Sequence, residues 1–270
     1  MMMAITLRRA FSLALEVAIF GVATALAAEP PLFESRQITP AGEYTFNIEG
    51  PAVDARGDLY VVNFRKPGTI GILRSSASVS ELFTELPEGS VGNAIRFDRA
   101  GRMFIADWKK HNVFLIEPGQ TRPVVYFRSD QFNQPNDLTV AADGTLYVGE
   151  SETREIWAYR IEGTRLVDGR MLRKFGDLDI DGLRTDVDGR LYVVRILKGT
   201  IAVLSPDGKL LREIPVTAKE PTNLAFGGPD GRTVFVTQRK GGFIETFRVD
   251  RPGREFCLHE TASRNCLKAP

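Results

Sequence analysis

Five side chains that carry an oxygen donor recur at a nearly constant interval: Glu49, Asn93, Asn136, Asp181 and Asn223, spaced 44, 43, 45 and 42 residues apart. Two are carboxylates. Glu49 and Asp181, with the amide carbonyl of Asn136, make a ligand set for a hard divalent cation, calcium first, with magnesium or manganese as alternatives. Carboxylates gathered without a cation repel one another and resist joint ionisation, so a metal resolves the conflict that bringing them together creates. Such a cation polarises a carbonyl and lowers the pKa of water, and Asp181 can accept the proton of an attacking water. The competing reading is local, because Asn and Asp are favoured at any strand entry, where they bond nearby backbone groups. Five in register favour the shared site.

The interval comes from a repeated hairpin. From Asp181 to Val194 the chain runs through a short alternating strand, an Asp-Gly turn and a second strand rich in β-branched and aromatic residues. In four repeats the turn glycine lies eight positions after the opening residue (Gly57, Gly101, Gly144, Gly189) and an aromatic eleven after it (Tyr60, Phe104, Tyr147, Tyr192). In the fifth, Gly231 keeps its place and Phe235 falls one later. Asp54, Asp98 and Asp186 recur five residues after the openings as turn builders. Asn223 is read as structural too, because its repeat has the displaced aromatic. The aromatic series itself reads as core between repeats rather than a stacking surface for a ligand.

A period of this size with strands throughout predicts an all-β β-propeller with five blade repeats, starting near residues 49, 92, 134, 179 and 221. Equivalent positions near the inner strands of a radial fold converge on its axis, which is how residues so far apart in sequence come to share one pocket. Glu34 to Thr39 is expected to close the ring by pairing with the last blade.

What is missing narrows the chemistry. His111 and His259 are the only histidines, and neither accompanies a Ser or Cys nucleophile motif; there is no phosphate-binding or dinucleotide glycine pattern. So little histidine and cysteine argues against zinc or haem.

The N-terminus reads as an export signal over residues 1–27: Arg8-Arg9, an apolar run from Ala10 to Leu26 interrupted by Glu16, and Ala25-Leu26-Ala27 as the cleavage site. A membrane anchor is the alternative, and the paired arginines leave the export route open. Cleavage removes two arginines and one glutamate and takes the formal charge from +1 to zero. A neutral body with no basic run has no footprint for nucleic acid. The expected protein, residues 28–270, is periplasmic or secreted and has no membrane contact once the signal is gone. Cys257 and Cys266 are then expected to form a local disulfide pinning the tail, against a metal cluster with His259 or two free thiols.

Glu49-Gly50-Pro51, Gln134-Pro135-Asn136-Asp137, Asp181-Gly182-Leu183 and the run from Pro221-Thr222-Asn223 to Gly231 resemble the gluconolactonase and regucalcin (senescence-marker-protein) family of six-bladed propellers, over nearly all of the mature chain. The resemblance implies a cation held by a Glu of the first blade, an Asn of the fourth and an Asp of the fifth, with a further Asn facing the substrate. Glu49 and Asp181 match that pattern directly, Asn136 stands for the amide ligand, and Asn93 helps position the substrate. It also implies hydrolysis of a sugar lactone or related cyclic ester, so the partner is a small-molecule lactone or sugar acid. Five repeats stand where the family has six, as if about one had been lost. A binding protein with the same pocket but no turnover, or a propeller scaffold for interactions, are the alternatives.

Overall fold

Each aspartate of the hairpin series builds its turn in the same way. Asp54 Oδ1 accepts the backbone N–H groups of Arg56 (2.9 Å) and Asp58 (3.0 Å). Asp98 does so for Ala100 and Arg102, both at 3.0 Å, and Asp186 for Asp188 (3.0 Å) and Arg190 (2.9 Å). The other carboxylate oxygen holds the guanidinium of Arg56, Arg102 or Arg190. Gly57, Gly101 and Gly189 follow with φ of 87°, 78° and 77°, the left-handed conformation that such turns require.

These turns organise a computed structural model that describes residues 30–128, 137–162 and 165–258. The export signal expected at 1–27, Asn136, His259 and Cys266 lie outside the described residues. After a short strand β1 (Arg36–Gln37), five four-stranded antiparallel sheets follow in order. Blade 1 is β2 (Tyr44–Val53), β3 (Leu59–Phe64), β4 (Thr69–Leu73) and β5 (Glu81–Glu85). Blade 2 is β6 (Gly92–Phe97), β7 (Met103–Asp107), β8 (Asn112–Ile116) and β9 (Val124–Arg128). Blade 3 is β10 (Leu138–Val140), β11 (Thr145–Glu150), β12 (Glu155–Glu162) and β13 (Arg165–Lys174). Blade 4 is β14 (Leu183–Thr185), β15 (Leu191–Arg195), β16 (Thr200–Leu204) and β17 (Leu210–Pro215). Blade 5 is β18 (Pro221–Gly227), β19 (Thr233–Gln238) and β20 (Phe243–Arg248), completed by β1.

The fold is therefore a five-bladed β-propeller, and its first strand closes the last sheet. Arg36 pairs with Thr246 and Gln37 with Glu245. Backbone bonds from Phe33 to Arg248 (2.8 Å) and from Ile38 to Ile244 (2.9 Å) continue the seam. Joining the two ends of the chain in one sheet covers an edge that would otherwise be open.

Apolar clusters seal blade 1 to blade 2, blade 3 to blade 4, blade 4 to blade 5 and blade 5 to blade 1. Tyr60 meets Phe97 of the next blade edge-on at 5.3 Å, and Tyr192 meets Phe226 at 5.1 Å. Among the described residues no such cluster joins blades 2 and 3. Phe104 packs instead within its own blade, on Tyr126 at 5.3 Å, and every residue of β9 is exposed.

That seam is polar. Arg96 of β6 bonds Asp137, beside β10, at 2.7 Å, and the fully buried Arg184 of β14 bonds the other oxygen of Asp137 at 2.5 Å. Glu255, on the one-turn helix α1 (Arg254–Leu258), lies 3.5 Å from Arg96 and 3.6 Å from Arg184. Burial pushes the Asp137 carboxyl up, and the two guanidiniums outweigh it, holding Asp137 below the usual carboxylate range. Cys257, on the same helix, is buried and disulfide-bonded.

Candidate functional site

Two glycines let the inner strands come close enough to build a hub. Gly50 follows Glu49 with φ of 56°, and a Cβ there would stand 2.7 Å from the Asn93 carbonyl oxygen. Gly182 follows Asp181, and a Cβ there would collide with the Asn223 side-chain amide. Any side chain at either position would push neighbouring inner strands apart.

Between these contacts lies a direct bond. Asn223 donates its side-chain N–H to Glu49 Oε2 at 3.0 Å, and the Gly50 N–H donates to the same oxygen at 3.0 Å. Asn93, Glu49, Asn223 and Asp181 thus follow one another around the axis, from blade 2 through blades 1 and 5 to blade 4. Thr222 fixes the blade 5 strand against blade 1, its hydroxyl donating to the Ile48 carbonyl at 2.8 Å. On the other side, the fully buried Asn63 donates to the carbonyls of Asn47 (2.6 Å) and Gly92 (3.2 Å), two residues before Glu49 and one before Asn93 in their strands.

The resulting cavity, about 320 Å³, has Glu49, Asn93 and Asp181 in its wall together with Thr222, Trp108 and Arg239. Glu49 is enclosed by protein but keeps part of its surface on the cavity. Burial pushes its carboxyl up to about 7, against the pull of the Asn223 and Gly50 donors; the Asp137 charge adds to the rise and the Arg184 charge reduces it.

Of the residues expected from spacing, Glu49, Asn93 and Asp181 share this cavity, and Asn136 lies outside the described residues. Asn223, read from its sequence as structural, is the amide that bonds Glu49. Trp108 and Arg239 were not expected. Both follow the second strand of their repeats, seven and eight residues after Gly101 and Gly231, a position whose shared register was visible but whose residue types do not repeat.

The donor set suits a hard cation. Among the described residues no cluster of three His, Cys, Asp or Glu side chains could hold a metal. Glu49 and Asp181 line the same cavity, and a cation held by both would complete its shell with neutral oxygens, a composition that fits calcium, magnesium or manganese and not zinc. A buried carboxylate that keeps its proton to near neutrality is also one whose ionisation a cation would relieve.

A family profile described as the SMP-30/Gluconolactonase/LRE-like region matches residues 70–240, more than half of the chain. Among curated proteins, the chain is 29% identical over 139 residues to diisopropyl-fluorophosphatase of Loligo vulgaris, covering 47% of this chain and 43% of that protein. It is 38% identical over 60 residues to 6-deoxy-6-sulfogluconolactonase of Pseudomonas putida, covering 22% and 21%. The chain therefore spans less than half the length of these curated relatives. In fold it is similar to a luciferin-regenerating enzyme, with a TM-score of 0.54 at 15% identity, covering 82% of this chain and 97% of that one. It is likewise similar to a gluconolactonase from Xanthomonas campestris, with a TM-score of 0.51 at 20% identity, covering 82% and 91%.

Proposed function

The chain belongs to the SMP-30/gluconolactonase/LRE-like family, and from that premise we propose that it is an exported, metal-dependent hydrolase that opens sugar lactones or related cyclic esters. The observation that carries this reading is the meeting of Glu49 and Asp181, from blades 1 and 4, on one central cavity. Glu49 and Asp181 would hold the cation, with amide oxygen completing the set; calcium suits it best. When bound, that cation supplies Lewis-acid polarisation of the lactone carbonyl and a lowered pKa for water.

The chain's own groups do the rest. Glu49 gives up the proton that burial lets it keep, while the Asn223 and Gly50 N–H groups hold its oxygen in place. Asn93 offers its amide to the ring substituents of the substrate. Asp181 accepts the proton of the attacking water; the water oxygen joins the carbonyl carbon, the ring C–O bond breaks, and a proton passes to the released hydroxyl. Trp108 and Phe46 add apolar surface to the cavity wall against which the substrate ring can pack.

The test uses purified protein with glucono-1,5-lactone and related lactones, with and without chelator and with added Ca²⁺, Mg²⁺ or Mn²⁺. Turnover lost on chelation, restored by one of the cations and abolished in Glu49→Ala is the expected result. Turnover that ignores chelator and survives Glu49→Ala would overturn it.

A further inference from the structure

At the mouth of the same cavity stands a cation that hydrolysis at the hub does not use. Arg239 follows β19 and is about 30% exposed at its side chain. Its Nε donates to Glu220 Oε2 at 3.0 Å, and its guanidinium lies over the Phe46 ring, 4.6 Å from the centroid. Among the described residues these are its only side-chain partners. One face is stacked and one edge is anchored, and the two terminal nitrogens of this cavity-lining residue have no acceptor among the described residues.

The backbone beneath is fixed. The Arg239 N–H bonds the Glu220 carbonyl at 2.9 Å, and Gly241 and Gly242 accept N–H groups from Gly42 (2.7 Å) and Tyr44 (3.1 Å). Gly242, with φ of 56°, packs so tightly on the Tyr44 carbonyl that no side chain fits there. Tyr44 opens the strand that carries Phe46, so ring and guanidinium are set by the same pair of blades. A guanidinium held flat on an aromatic ring has already lost much of its side-chain freedom, and its free edge is suited to paired hydrogen bonds with an oxyanion. The cavity thus has carboxyl groups at its hub and, at its rim, a guanidinium that shares its charge with Glu220.

Resting on the reading above, we propose that Arg239 determines specificity, binding an anionic substituent carried on the substrate away from the ring carbonyl. The preferred substrates are then lactones that bear a phosphate, sulfate or sulfonate group. An uncharged ring of the same size fills the cavity and leaves the Arg239 edge to water.

The experiment reads binding rather than turnover. Calorimetry at fixed, low ionic strength compares glucose, glucose 6-sulfate and glucose 6-phosphate on the wild-type chain, on Arg239→Gln and on Arg239→Lys, each loaded with Ca²⁺. The wild type should prefer the anionic sugars by about tenfold to a hundredfold. Arg239→Gln should lose that preference, Arg239→Lys should keep part of it, and added salt should weaken it in the wild type. Sulfate and phosphate arms separate a singly charged from a doubly charged partner. Equal affinity for charged and uncharged sugars in the wild type, a preference that persists in Arg239→Gln, or no binding of any of the three overturns the assignment. Lactones left intact alongside an Arg239-dependent preference would sink the hydrolase and leave the rim assignment standing. Hydrolysis without preference would do the reverse.

Discussion

The side-chain amide of Asn223 donates to Glu49 Oε2 at 3.0 Å across 174 residues of sequence. That bond ties the last blade to the first at the hub and lowers the cost of ionising a carboxylate that burial would otherwise keep protonated. Asn223→Ala should therefore weaken cation binding about tenfold, the usual effect of removing a partner behind a metal ligand. Titration of Ca²⁺ or Mn²⁺ into variant and wild type checks this; equal affinities would remove Asn223 from the site.

The raised pKa of Glu49 sets a pH window. A carboxyl lifted from 4.5 to about 7 contributes stability that is complete below pH 4.5 and lost as pH rises through 7. Glu49→Gln has no proton to lose and stays neutral throughout. In chelator, the wild type should lose roughly 2–3 kcal/mol relative to Glu49→Gln between pH 4.5 and 8. Thermal melts of both proteins across that range give the answer, and parallel curves would refute it.

Much of this was legible beforehand, and the limits have physical causes. The turn aspartates and glycines repeat because each hairpin needs the same local geometry, so blade number and register could be read from spacing alone. Glu49, Asn93 and Asp181 inherit that register and meet. Asn223 looked merely structural because Phe235 is displaced by one residue. The pairing of β18 with β19 slips between Pro221 and Asn223, a bulge that seats the amide against Glu49. Arg239 and Trp108 lie in loops, where side chains answer to a ligand and not to a strand period. Nothing local announces the polar seam between blades 2 and 3, because it depends on which blades become neighbours.

Arg184 is fully buried against Asp137, and among the described residues two of its guanidinium nitrogens, Nε and Nη2, have no hydrogen-bond acceptor. Arg184→Met leaves the Asp137 charge with Arg96 alone. Urea unfolding should register a loss of about 3–5 kcal/mol. The double variant Arg184→Met/Asp137→Asn should recover part of that loss, since it removes the stranded charge as well. A single variant as stable as the wild type would show that the pair contributes little.

Gly182 offers a steric test of the hub. A methyl group there would collide with the Asn223 amide. Gly182→Ala should cost about 1–3 kcal/mol by forcing the inner strands of blades 4 and 5 apart. It should also weaken cation binding more than Gly57→Ala, a change in a turn far from the cavity. Similar cation affinities in the two variants would show that strand approach at Gly182 does not shape the site.

A ring whose described residues seal four joints with apolar clusters and the fifth with charge will not deform evenly. Buried charge pairs depend on exact geometry and tolerate little displacement, whereas interdigitated apolar cores resist it. Thermal breathing should accordingly gather at the joint between blades 2 and 3, where amide hydrogens would exchange soonest. The hub oxygens lie on the unbroken arc that runs from blade 4 through 5 and 1 to 2. Compliance at one joint thus spares their spacing.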